Sequence, residues 1–487
     1  MPGIDKNSGP FRISVNRDAR SGLTEQIRSA ITQAIGEGRL KPGARMPSCR
    51  DLAAQLGVAR GTVRSAYDML ADSQLLEAKG AAGTFITQYP PITISNSVPS
   101  VPSVALTPLP DIVCDYDTPP LTFQMGVPAT DAFPASVWSR ILQRHARSSA
   151  TQPVCYPDPR GSLALRQELV AYLAMSRGVN CQAAQIIITN GYAGALGLIC
   201  LAMGFRDAQA WIEEPGYLLA CKALGLVGIE PVPIAVDEQG IRVSEGIQRA
   251  PAASFALVTA GQQSPLGMAL SPERRSELLA WAQENHRWII EDDYLGELQL
   301  SSRAAPALAS RDSAGRVIHI GTFSKTLSPA LRLGFVVVPL ALAARFGDIA
   351  AAMAPASGAV SHNAVAEFLR EGHFLRHLRR MKRLYAERME KMMQALQPHF
   401  PQLRRGGLAV IVQLPAGIAD RIIAREALAW DMAPSPLSAW FQRDELRQYG
   451  LILGVTNMPG DGFEQCAQKL RQLVDAHLPV VTSPGSD

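Results

Sequence analysis

The sequence predicts a multidomain chain: a small N-terminal α+β domain, a linker, and a large α/β domain built on a mostly parallel sheet. Three observations predict it. The chain has 487 residues, too many for one ordinary core. Residues 1–88 run through sharp helix caps into a hairpin signal. From 121 to 480, short unbroken apolar runs alternate with helical patterns. Between them lies 89–120, YPPITISNSVPSVPSVALTPLPDIVCDYDTPP, rich in Pro and Ser and without periodicity, whose prolines favour an extended spacer.

In the first 88 residues, Ser48 and Asp51 form an S-x-x-D capping box ahead of Leu52, Ala53 and Leu56, and Gly57 stops that helix. After a short turn, RGTVRSAYDML places Val63, Ala66, Tyr67 and Leu70 on one buried stripe. Arg60 and Arg64 lie one turn apart on the other side. Two short helices joined by a tight turn, the second basic at its start, have the geometry of a helix-turn-helix that reads the major groove of duplex DNA. Its arginines suit phosphates and guanine edges. LLEAKGAAGTFIT then predicts two strands around a Gly-rich turn, a wing carrying Lys79.

The run from Leu23 through GTFI (83–86) is similar to the winged helix-turn-helix of the GntR family. That resemblance implies DNA contacts at Ser48, Arg50, Arg60, Thr62 and Arg64, with the wing from Lys79 to Gly83. Two positions depart from it. Ala59 stands where a serine usually begins the recognition helix, a cap worth about 1 kcal/mol. Ala81 replaces the first wing glycine, with a glycine at 80 instead.

The net charge of +4 is modest, so its position carries more than its sum. One basic concentration, Arg39 to Lys79, is the head just described; the other, Arg370 to Lys391, reads as the solvated face of a long helix. The opening MPGIDKNSGPFR has no apolar signal region, and runs such as Leu196–Phe205 are too short to cross a bilayer, which predicts a cytoplasmic chain with no membrane partner. The seven cysteines (49, 114, 155, 181, 200, 221 and 466) contain no C-x-x-C pair, which argues against a disulfide framework or zinc site and predicts reduced, mostly buried thiols.

In the large zone, strands are expected at 186–189, 210–213, 255–260, 288–293, 317–321 and 334–339, with helices such as 271–286 between them. Most lack polar alternation, as a sheet covered on both faces requires. One lysine stands out. Only eight lysines occur in the chain, and Lys325 is alone between Lys222 and Lys382. A desolvated lysine, unlike an arginine, can lose its proton and attack an aldehyde.

A pyridoxal 5'-phosphate cofactor needs that amine, an acid for its ring nitrogen, donors for its phosphate and a flat group over its ring. Each need has a candidate after an expected strand, where α/β sheets place ligands. WII runs into EDDY, offering Asp292 for the ring nitrogen and Tyr294 for the phenolic oxygen. ITNGYAGAL sets Gly191 and Tyr192 at a helix start, where backbone N–H groups meet anions. Thr322, Ser324 and Arg332 surround Lys325 with hydroxyls and a cation for the phosphate, and Tyr217 in EEPGY suits the ring.

FPASVW, YPDPRGSLALRQELVAYL, EEPGY, IIEDDY and GTFSKTLSPALRLGF together resemble fold type I aminotransferases, and their pairing with a GntR-like head resembles the MocR subfamily of regulators. The resemblance implies a smaller C-terminal α+β lobe, Lys325 as the Schiff-base lysine, and Tyr156 reaching the phosphate of the other subunit in a head-to-tail homodimer. In TAGQQSPLG, Gln262, Ser264 and Leu266 replace a histidine, an aromatic residue and a threonine. Leu451 stands where such enzymes often carry a carboxylate-binding arginine, with Arg447 nearby.

Three functions fit these residues. The first is a transcription factor that senses pyridoxal phosphate, or an amino compound, through Lys325. The second is a working aminotransferase with a fused head. The third, a DNA-binding scaffold that has lost the cofactor, is disfavoured by the presence of Lys325, Asp292 and Arg332 together.

Overall fold

The structure is a computed structural model, which describes residues 13–17, 19, 21–88, 118–151, 155–300, 305–353, 358–458 and 462–478. The chain divides into two compact units, Met1–Thr107 and Pro108–Asp487. The division falls inside the Pro- and Ser-rich stretch, of which 89–117, with Cys114, lies outside the described residues.

The first unit holds α1 (Leu23–Gly36), α2 (Cys49–Leu56), α3 (Arg60–Asp72) and the hairpin β1 (Leu76–Ala78) with β2 (Thr84–Ile86). Ser48 Oγ accepts from the Asp51 N–H at 3.1 Å and so satisfies one orphan donor at the start of α2; Gly57 ends the helix in the left-handed region at φ +64°. The expected stripe is buried as a set, Val63, Ala66, Tyr67 and Leu70, against Ile27, Ile31 and Leu52. The strands pair antiparallel with Leu76 opposite Ile86 and Ala78 opposite Thr84.

The second unit begins with α4 (Ala135–Thr151) and α5 (Leu163–Arg177). Strand and helix then alternate through β3 (Ile186–Thr189), α6 (Gly191–Met203), β4 (Gln209–Glu214), α7 (Leu218–Leu226), β5 (Glu230–Asp237), β6 (Gly240–Ile241), α8 (Val243–Arg249), β7 (Phe255–Val258), α9 (Pro272–Glu284) and β8 (Trp288–Asp293). After them come β9 (Val317–Thr322), β10 (Gly334–Val337), α10 (Ala343–Met353), α11 (Ala359–Arg370) and α12 (His373–Leu396). Among the described residues these strands form an eight-stranded sheet ordered β3-β10-β9-β8-β7-β4-β5-β6. Its centre, β5-β4-β7-β8-β9, is parallel, while β10 runs antiparallel to both β9 and β3. Neighbouring strand residues bury opposite ways: Ile290 and Ile320 join a core with α6, α7 and α10, whereas Ile289 and Val317 join one with α9.

A second sheet, β11 (Leu403–Arg405), β12 (Ala409–Gln413), β13 (Ser435–Pro436) and β14 (Gly450–Gly454), lies with α13 (Asp420–Ala427) and α14 (Phe463–Ala476). The basic run from Arg370 is not one helix. Gly372, at φ +68°, breaks it between α11 and α12, and the latter buries Phe374, Leu378, Met381 and Tyr385 on one side. The thiols also depart from expectation: Cys200 and Cys221 are buried, Cys49, Cys181 and Cys466 half-buried, and Cys155 exposed.

Candidate functional site

The loop between β9 and β10 carries Lys325 across the ends of the central strands. Lys325 Nζ donates to the Gly126 carbonyl oxygen at 2.7 Å. Gly126 has φ +81°, and a Cβ there would stand 2.7 Å from the same nitrogen, so the approach requires glycine. Burial lowers the Lys325 pKa; Arg332 lowers it further, and Asp292 opposes the shift.

Asp292 sits at the end of β8 and is buried, and its Oδ1 has no hydrogen-bond partner. Burial, with smaller contributions from Asp293 and Glu213, pushes its pKa up to about 8, against the pull of Lys325 and His319. An orphaned carboxylate oxygen in a closed site calls for a donor. Tyr294 follows, half-buried; desolvation raises its pKa above the usual phenol value, against smaller opposing contributions from Ser264 and Gln262.

An anion cradle lies beside them. Asn190 and Gly191 start α6 directly after β3, and Gly191 takes φ +72°. Arg332, in the left-handed region at φ +47°, donates to the Asn190 carbonyl at 3.4 Å, and its Nη2 would lie 3.5 Å from a Cβ on Gly191. The antiparallel β10 is what brings Arg332 here, since it returns the chain between β9 and β3. Thr322 Oγ1 accepts from the Ser324 N–H at 3.1 Å, and both residues are half-buried at the base of this loop. The Tyr192 ring meets Tyr217 edge-on at 5.9 Å, and Tyr217 tilts against Trp440 at 6.4 Å.

Behind the site lies a buried ionic network that sequence reasoning missed. Glu291 and Asp293 flank Asp292 on β8 and therefore face the other side of the sheet. Arg177 donates to Asp293 twice, at 2.5 and 3.0 Å. The His319 ring lies 3.0 Å from Glu291, which also accepts the N–H groups of Leu308 and Ala309; Tyr172 donates to Glu297. Burial alone would lower the His319 pKa, but the Glu291 bond and charge, helped by Asp293, raise it.

In the head, Arg50, Arg60 and Arg64 are exposed and Thr62 is half-buried. Arg64 reaches Asp68 only at 3.9 Å, and Ala59 starts α3 without a side-chain cap bond. Lys79 lies 3.3 Å from Glu77 and 5.6 Å from the Phe85 ring centre. The wing's left-handed positions are Gly80 and Gly83, both glycine, so Ala81 carries no strain. The Arg45 guanidinium lies 3.1 Å from where a Gly83 Cβ would be, a cation on the wing not among the expected contacts.

Two family profiles match the chain. One, aminotransferase class I and II, covers residues 123–426; the other, bacterial regulatory proteins of the gntR family, covers 23–86. The chain is 34% identical to the probable rhizopine catabolism regulatory protein MocR of Rhizobium meliloti, over 94% of both chains. The chain belongs to the MocR group of GntR-family transcriptional regulators. It is also 30% identical to the HTH-type transcriptional regulator TauR of Rhodobacter capsulatus, over 93% of this chain and 97% of that one. A third MocR-type relative, the pyridoxine biosynthesis regulator PdxR of Corynebacterium glutamicum, is 30% identical over 77% of this chain and 79% of its own.

The fold of this MocR-type large domain is that of aminotransferases. The Pyrococcus horikoshii kynurenine aminotransferase shares it with a TM-score of 0.67 at 23% identity, over 75% of this chain and 93% of that one. LysN of Thermus thermophilus, complexed with N-(5'-phosphopyridoxyl)-L-leucine, superposes with a TM-score of 0.65 at 25% identity, over 73% of this chain and 92% of its own. Family and neighbours indicate pyridoxal 5'-phosphate as the cofactor. The residues present fit it: a desolvated amine, an orphaned buried carboxylate and a helix start beside a guanidinium.

Tyr156 is fully exposed. Leu451 proves to be the wrong position for a site-facing residue. It buries against Phe123, Leu453 and the helix-covered side of its sheet, while Ile452 faces the large domain. Among the described residues, no helix is long and apolar enough to cross a membrane and no group of three or more ligating side chains could hold a metal ion.

Proposed function

We propose that this MocR-type regulator senses an amino compound, or pyridoxal phosphate itself, through cofactor held at Lys325, and passes that state to DNA contacts at Ser48, Arg50, Arg60, Thr62, Arg64 and the Lys79–Gly83 wing. The observation that supports it most is geometric: Lys325 Nζ, held 2.7 Å from the Gly126 carbonyl, shares the site with buried Asp292, whose Oδ1 has no hydrogen-bond partner. Asp292 would hold the ring nitrogen and Tyr294 the ring oxygen. Gly191 and Tyr192 would give backbone N–H groups to the phosphate, with Thr322, Ser324 and Arg332 around it. Tyr217 would lie against the ring. Tyr156, exposed in its own chain, suits the phosphate of a second subunit in a head-to-tail dimer.

When bound, the cofactor supplies an aldehyde with which primary amines condense. Lys325 would occupy that aldehyde in the absence of another amine, and the Gly126 carbonyl, 2.7 Å from Lys325 Nζ, would hold the lysine nitrogen by its proton when it is free. A ligand shifts the head only through unequal affinity for two arrangements of the chain, so the exchange at Lys325 must favour one of them. The place of action is the cytoplasm, where an operator and free amines are both available.

The test is operator binding by cofactor-loaded protein with and without amine, set beside a transamination assay. An amine-dependent change in operator affinity, with at most slow turnover, supports sensing. Brisk multiple turnover without any change at the operator would replace it with an aminotransferase.

A further inference from the structure

We infer that the amine this site accepts has an apolar remainder and no carboxylate on the carbon that carries the nitrogen. This rests on the reading that Lys325 holds the cofactor. An apolar cluster of the small lobe adjoins residues of the site. In β14, Ile452 pairs with Ile411 of β12 and Ser435 of β13, and alternation turns Ile452 and Ile411 toward the large domain. There they meet Leu266, Trp440 and Phe441 in one apolar cluster.

That cluster reaches the site at two points. Tyr217, the candidate ring-stacking residue, packs on it and tilts over Trp440 at 6.4 Å. Met125 packs on it from the other end, one residue before the Gly126 carbonyl that holds Lys325 Nζ at 2.7 Å. A ligand joined at the lysine position therefore extends between Met125 and Tyr217 onto an apolar surface.

Of the nearby cations of that lobe, Arg443 donates to Glu245 at 2.5 Å and to Glu445 at 2.9 Å, while Arg447 lies 2.5 Å from the exposed Asp444 and its buried Nε has no partner. A carboxylate brought against Ile452, Trp440 and Leu266 would lose water without gaining a partner. Arg332 stands on the opposite side, at the Gly191 helix start proposed for the phosphate.

The experiment follows the visible absorbance of the cofactor-loaded full chain during titration with phenethylamine, L-phenylalanine and ethanolamine. Phenethylamine is expected to shift the band at concentrations lower by about tenfold or more than either of the others, a difference of about 1.4 kcal/mol. Equal or tighter response to L-phenylalanine overturns the exclusion of carboxylates, most directly if Arg447→Gln abolishes it. Equal response to ethanolamine overturns the apolar remainder, and response to none of the three overturns both. Ile452→Arg should move the preference toward L-phenylalanine; the wild-type comparison decides if that variant does not fold. A band that is absent, or unchanged by Lys325→Ala, sinks the reading of Lys325 itself, whereas a Lys325-dependent band that prefers the amino acid sinks this inference alone.

Discussion

Lys325 and Gly126 lie 199 residues apart in sequence, yet the lysine nitrogen sits 2.7 Å from the glycine carbonyl, in a space that any Cβ at 126 would occupy. Gly126→Ala must therefore displace Lys325 and adopt a strained φ of +81°, at a cost of about 1–3 kcal/mol. Cofactor affinity, read by absorbance titration, should fall by about tenfold or more while the head keeps its DNA binding. Unchanged cofactor affinity would mean that the contact is incidental.

Asp292 gives the cofactor-free protein a pH signature. Its pKa is raised from an ordinary 3.8 to about 8, so the folded chain keeps a proton that the unfolded chain has lost. Stability from this group is full below about pH 4 and is lost as pH rises through about 8. Asp292→Asn removes the titration. Without cofactor, the variant should exceed wild type in urea stability by about 1–3 kcal/mol at pH 8, with the gap closing toward pH 5. A gap that does not vary with pH would contradict the assignment.

The Arg177–Asp293 pair should be costly to break from one side. Arg177→Met leaves a buried carboxylate without its two guanidinium bonds, a loss of about 3–5 kcal/mol. Chemical denaturation of the large domain measures it; a loss under about 1 kcal/mol would show that water replaces the guanidinium.

At the head, Arg60→Ala and Arg64→Ala should each weaken operator binding and lower the salt slope by about 0.9. Binding and slope both unchanged would place the recognition surface elsewhere. Ala59→Ser should instead restore the cap missing from α3 and stabilise the head by about 1 kcal/mol in thermal melts.

The parts legible in sequence were those with local signals. Ser48 and Gly57 announce the ends of α2, and the spacing of Val63, Ala66, Tyr67 and Leu70 announces the buried side of α3. Strand β5 is masked by Pro231 and Pro233, tolerated because β6 pairs only with Val236 and Asp237 and leaves that edge free. Arg177 gives no local hint of Asp293, 116 residues away. The Leu451 reading erred by one residue, which in a strand moves a side chain to the opposite face, and only pairing with β12 and β13 fixes that register.

The central claim is that Lys325 carries the cofactor, and the most direct measurement is sodium borohydride reduction of pyridoxal-phosphate-loaded protein followed by peptide mapping. A stable phosphopyridoxyl group is expected on the peptide containing Lys325, with loss of both that group and the visible band in Lys325→Ala. A label on another lysine, or a visible band that survives Lys325→Ala, would contradict it.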